Sequence, residues 1–212
     1  MAFETVVIDI DTQWDLVMPE GAWPVPGAYG LMPNLERVIR YARMYNLPVF
    51  STVQVRSPDD PRFTAGEGAE PPHCLRGTPG AAKVAATRPV KAVTIENRAY
   101  STPELQGLTG SGREIVVETS GPDLLSNPNT AQILAGAKSA IVFGFPMDGA
   151  VSRAVQWLLN QGVAVEVVQN ATSPRSEDPE AREGLLADWI ALGARKIRDI
   201  DIMTRFTTSR HR

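Results

Sequence analysis

Two short stretches place groups that could do chemistry at the ends of apolar runs. DTQWDL at 11–16 follows the run TVVIDI, and FGFPMDGAV at 143–151 closes the run SAIVF. A carboxylate at the end of a buried strand is a candidate acid or base, because burial raises its pKa towards values where it holds and donates a proton. That singles out Asp11; Asp15 is the better candidate for holding the loop. The second stretch reads as strand, tight turn and helix start. Backbone N–H groups and the helix dipole favour negative charge there, so it is where a covalent enzyme seats its nucleophile. Gly149 and Ala150 occupy that seat, and neither can attack a carbonyl.

These residues are positioned by strands that alternate with helices. Phe3 to Asp11, 47–53, Glu114 to Val117, Ser139 to Phe143 and Val163 to Val168 read as strands, with shorter ones at Ala92 to Ile95 and Lys196 to Ile200. Helical patterns run over 33–46, from Asn129 to Ala137 (Asn127 or Asn129 as cap), from Asp148 to Gln161, and from Pro179 to Leu192, with Gly162 and Gly193 closing the last two. Thr12 to Pro33 is a Pro- and Gly-rich loop, and residues 54–90 are irregular, a length usually tied to function. The expected fold is α/β: one three-layer α/β/α sandwich over residues 1–205, its mostly parallel sheet of about five or six strands, with a flexible tail at 206–212. In such sheets ligands bind beyond the carboxyl ends of the strands. Asp11, the loop after Val53, Glu118-Thr119 and the 145–150 turn all fall there.

The composition narrows the function. The 212 residues are 43% hydrophobic with net charge −3, which points away from nucleic acid and anionic membranes as partners. The single cysteine, Cys74, excludes an intrachain disulfide and a Cys metal cluster. No apolar run approaches the ~18 residues of a membrane span, and MAFETVVIDID does not read as a signal peptide. The expectation is a cytoplasmic protein.

Five stretches in order, DTQWDL, GAWPVPGA, PPHCLRGTPGA, VVETSGPDLLSNPN and GFPMDGAVSRAV, resemble the isochorismatase-like superfamily, which includes nicotinamidases and other cysteine hydrolases. The resemblance runs over roughly residues 3–200 and implies an Asp–Lys–Cys catalytic set. Asp11 matches the Asp. The Lys position falls on Thr119, or on Glu118 if the register slips by one, and the Cys position falls on Ala150. The superfamily also carries a cis peptide before the Cys. Pro146 stands there, and cis is far cheaper before proline than before other residues, so a cis Phe145–Pro146 bond is expected. The nicotinamidase metal site needs an Asp and several His near the second strand's end. TVQVRSPDDPRF has no His, and His73 alone matches the last metal His. No metal and no cofactor are expected, and His73 reads as a hydrogen-bonding loop residue.

Around Asp11 several readings stay open. Gln13 bonds either the loop or a ligand. Trp14 and Trp23 either wall a pocket or pack the loop. Glu118 is either a second carboxylate beside Asp11 or a solvated strand end. Phe145, Pro146, Met147 and Gly149 are pocket candidates with His73. The resemblance implies a small-molecule ligand and a homodimer or homotetramer. The expected function is non-covalent acid/base chemistry, hydrolysis or a related reaction, on a small molecule by Asp11, since true isochorismatases also lack the Cys. The alternative is a catalytically inactive binding or scaffold subunit. An engineered Cys-to-Ala change at 150 is disfavoured, because the Lys position differs as well.

Overall fold

The computed structural model describes residues 4–110 and 112–209, with the side chains of 205–209 excepted. Phe3 and His211 lie outside the described residues. Seven strands form one sheet in the order β3-β4-β2-β1-β5-β6-β7: β1 (Thr5–Ile10), β2 (Val49–Gln54), β3 (Ala92–Ile95), β4 (Glu114–Thr119), β5 (Ser139–Gly144), β6 (Ala164–Thr172) and β7 (Arg195–Ile197). Every pairing is parallel. The count exceeds five or six because β3 and β7 are short strands that complete the two edges.

Alternation along the strands splits the core in two. Val6, Ile8 and Ile10 of β1 face one layer with Ile115, Val117, Ala154, Val155 and Trp189. That layer is built by α3 (Thr102–Thr109), α4 (Thr130–Leu134), α5 (Ser152–Asn160) and α6 (Pro179–Ala191). Val7 faces the other layer with Leu16, Leu35, Val38, Ile39 and Ile202, on α1 (Trp14–Val17), α2 (Met32–Met44) and α7 (Asp199–Ser209). Leu35, Val38, Ile39 and Ala42 give α2 its buried stripe, as the spacing predicts.

Four local expectations are corrected. The 148–161 helix begins as a π-helical turn, Met147–Val151, before α5. The last strand stops at Ile197 and the chain turns helical from Asp199, through the start of the expected tail, to Ser209. Helix α3 was missed although its sequence carries the signal: Ser101 and Glu104 form a capping box. Asn129 caps α4 by position only, while Asn127 donates instead to the carbonyls of Ile95, Glu96 and Glu118.

The sheet's order reverses at β1, which has β2 on one side and β5 on the other. The carboxyl ends of β1 and β5 therefore open a crevice at the switch point. Gly144 makes the closest approach there. Its φ is +124°, and a methyl group on it would lie 2.0 Å from the Ile10 carbonyl oxygen. Phe145 N–H donates to that oxygen at 2.9 Å.

Candidate functional site

Asp11 leaves β1 with φ +48° and turns its carboxylate towards the α5 layer. It is buried. One oxygen accepts from Thr52 Oγ1 and the other from Gln54 Nε2 at 2.7 Å. Burial raises its pKa above the ordinary carboxylate value; the Thr52 and Gln54 hydrogen bonds and the charge of Lys83 oppose that rise without cancelling it. Thr119 and Ala150 stand across from it with Ile10, Leu124 and Pro122, but the space they bound offers about 0 Å³ to a water-sized sphere. The Phe145–Pro146 bond beside this space is cis.

Gln54 links Asp11 of this closed space to an open one that it lines, and Pro122 lines both. Gln54 Nε2 donates to Asp11, and its Oε1 accepts from Arg56 Nε at 3.0 Å. Beyond it lies a pocket of about 270 Å³ lined by Trp23, Gln54, Arg56, Glu70, Pro122, Pro146, Asp148, Gly149 and Arg175. The Arg56 side chain is only 1% exposed, and its guanidinium pairs with Glu70 at 2.5 Å and Asp60 at 3.6 Å. The Arg175 guanidinium stacks on Trp23, its Cζ 3.3 Å from the ring centroid. Burial pushes the Arg175 pKa down to about 10. Asp148 accepts the backbone N–H groups of Arg175 and Ser176, which ties that loop to the π-helical turn.

The sequence candidates divide between these two spaces. Thr119, not Glu118, faces Asp11, because it shares its side of β4 with Ile115 and Val117. Glu118 points to the other face and pairs with Arg76 at 3.1 Å. Gln13 is spent on the loop: its Nε2 donates to the Gln54 and Ala81 carbonyls and its Oε1 accepts from Gln54 N–H. Asp15 holds the loop too, accepting the N–H groups of Ala22 and Cys74. Of the pocket candidates, Trp23, Pro146 and Gly149 line the pocket. Phe145 and Met147 are buried in the core instead, because β5 and the turn feed their side chains inward. Trp14 is 41% exposed and lines no part of the pocket. His73 packs beneath, its ring 4.6 Å from Trp23. Its Nδ1 faces the Pro71 carbonyl at 2.8 Å, so that nitrogen carries the proton. Burial pushes its pKa down to about 4, leaving the ring neutral.

Four charged residues escaped the sequence reading: Arg56, Glu70, Arg175 and Lys83. Lys83 Nζ pairs with Asp9 Oδ2 at 2.9 Å and donates to the Thr52 carbonyl at 3.3 Å, both partners being buried. A lysine thus does approach the Asp11 end of the sheet, but from the α2 layer and from the irregular 54–90 segment. Arg56 carried one signal, a charged residue two positions past the end of a buried strand.

The donor set does not fit a first-row metal. Gln54 and Arg56 occupy the end of β2, and a buried guanidinium repels a cation. Among the described residues, no group of three or more His, Cys, Asp or Glu side chains could hold a metal ion.

Comparison with known proteins agrees with this layout. Residues 5–103 match the isochorismatase domain family model. No curated protein matches by sequence. An isochorismatase family protein from Desulfovibrio vulgaris superposes with a TM-score of 0.74 at 21% identity, covering 97% of this chain and 99% of that one. A pyrazinamidase of Pyrococcus horikoshii, solved in complex with zinc, gives 0.72 at 21% over 92% and 99%. An N-carbamoylsarcosine amidase from Thermoplasma acidophilum gives 0.69 at 20% over 92% and 96%. At these identities the structures share the fold. Residues 5–103 thus match an isochorismatase domain, and the chain as a whole has the fold of the isochorismatase-like structures.

Proposed function

We propose that the protein binds a small molecule in the pocket bounded by Trp23, Gln54, Arg56 and Arg175, and that it has no cysteine-dependent amidase chemistry. The observation that carries this reading is the separation of the two spaces. Asp11, Thr119 and Ala150 enclose no room for water, while about 270 Å³ stands open on the other side of Gln54. Hydrolysis needs substrate carbon and water beside the acid, and neither fits. Ala150 supplies no nucleophile and Thr119 no cation. The polar groups around Asp11 are engaged with one another, as expected of a centre kept for folding.

A second reading keeps Asp11 as an acid. The raised pKa of its carboxyl favours it, and one side chain, Gln54, stands between that carboxyl and the pocket. Rotation of Gln54 would join the two spaces. The test is turnover of small amides and enol ethers beside binding of the same compounds, in wild type and Asp11→Asn. Binding without turnover, unchanged in the variant, is the expected result. Turnover by wild type that disappears in Asp11→Asn would establish the acid reading instead.

The same proposal takes residues 1–205 as one functional unit, self-associated as a homodimer or homotetramer in the cytoplasm, without nucleic-acid or membrane partners. Its support is the resemblance, the single free cysteine and the mildly negative charge. Among the described residues no helix is long and apolar enough to cross a membrane.

A further inference from the structure

The open pocket contains one cation that the protein leaves under-used. Arg56 is fully engaged, donating to Gln54 and facing Glu70 and Asp60. Arg175 is not. Among the described residues no carboxylate forms an ion pair with it, and Asp148, its neighbour, spends its oxygens on backbone N–H groups. The guanidinium's one hydrogen bond runs from a terminal nitrogen to the Trp23 carbonyl at 3.3 Å. Its Nε is buried and has no partner. A buried N–H without an acceptor is unfavourable, and more so when it carries charge.

The stacking on Trp23 decides how that group can be used. One face of the guanidinium is covered by the indole, so its donors project in the guanidinium plane. A flat guanidinium with donors left over matches a carboxylate through parallel N–H bonds, and Trp23 fixes its orientation in advance. The charge of the walls selects further. Arg56 is already paired with Glu70 and Asp60, which leaves Arg175 as the one lining cation without an ion pair among the described residues, a match for a single negative charge rather than two. The volume, about 270 Å³, lies at the small end of ligand pockets.

Resting on the binding role above, we propose that the pocket takes a small monocarboxylic acid whose carboxylate docks on the Arg175 guanidinium. The body of the acid lies against Pro122 and Pro146, with Arg56 as the second positive wall.

The test is calorimetric titration of the full chain, in phosphate-free buffer, with three probes of one shape: benzoate, neutral benzamide and dianionic phenyl phosphate. Benzoate is expected to bind at least about tenfold tighter than benzamide. Arg175→Met is expected to weaken benzoate about 10- to 100-fold, the worth of a charge-assisted pair, and benzamide by much less, so that the preference for benzoate is lost. Arg175→Lys should recover only part, since an ammonium has neither the fork nor the stack. Thermal melts check the fold of each variant. If Arg175→Met does not fold, the wild-type comparison of benzoate with benzamide and the Arg175→Lys titration decide. Equal affinity for benzoate and benzamide, or benzoate binding unaltered by Arg175→Met, overturns the proposal. Tightest binding of phenyl phosphate overturns the choice of a carboxylate. Benzamide binding without benzoate binding ends this proposal but leaves the binding role standing. Binding of none of the three at millimolar concentration removes both.

Discussion

Replacing Lys83 by Met tests whether the carboxyl end of the sheet is as dry as the closed space implies. Lys83 and Asp9 pair at 2.9 Å with side chains 4% and 0% exposed. Methionine keeps most of the volume and removes the charge. Asp9 is then left with the hydroxyls of Thr12 at 2.8 Å and Ser51 at 3.2 Å and no cation. Removing one partner of a buried ion pair costs about 3–5 kcal/mol. For a chain of this size each kcal/mol lowers Tm by about 2–4 °C, so the expected fall is roughly 6–20 °C. Adding Asp9→Asn should return much of the loss, because an amide needs no counter-charge and can accept from one hydroxyl while its NH2 donates to the other. Urea unfolding of wild type, both single variants and the double variant closes the cycle. A cost below about 1 kcal/mol for Lys83→Met would be that of a solvent-exposed pair. The reasoning about a sealed sheet end would then be refuted.

Three further outcomes follow from the same geometry. Asp11 has its pKa raised in the fold from 3.8, so the unfolded chain releases that proton first and stability falls as pH rises above about 4. Asp11→Asn is therefore expected to be more stable than wild type at pH 7, the two converging as the pH drops towards 3.8 in an unfolding series. His73 works in the opposite direction. Its pKa falls from 6.5 to about 4 on folding, so the stability it contributes is present above 6.5 and lost as pH falls towards 4. In His73→Gln the stability curve should be flatter across that window. Gly144→Ala places a methyl 2.0 Å from a backbone oxygen at φ +124°; a loss of more than about 4 kcal/mol, or no folded protein, is expected from circular dichroism melts.

The layers of the fold were legible because burial dictates residue type over whole segments. β1, β2 and β5 are runs of Val, Ile and Phe, and Leu35, Val38, Ile39 and Ala42 mark one side of α2. The short edge strands carry too few apolar residues to count firmly. Helix α3 lacks a strong apolar stripe, so its capping box was the signal to read. At the site, Asp11 and the 145–150 turn were legible because they adjoin strands. The choice of Thr119 over Glu118 was available too, from its parity with Ile115 and Val117. Arg56 offered only its place just past β2, and Lys83 and Arg175 offered nothing, since loops position them and no periodicity reports a loop's path. Nor could sequence show that Gln13 spends its amide on the backbone of Gln54, or that Gln54 itself stands between Asp11 and the pocket.

The central claim is that ligand and Asp11 occupy separate spaces. A crystal structure of the protein with benzoate tests it most directly. The account predicts benzoate against Arg175 and Trp23, with Gln54 still bridging Asp11 and Arg56 and no water in contact with the Asp11 carboxylate. Benzoate or an ordered water beside that carboxylate, with Gln54 turned aside, would contradict it.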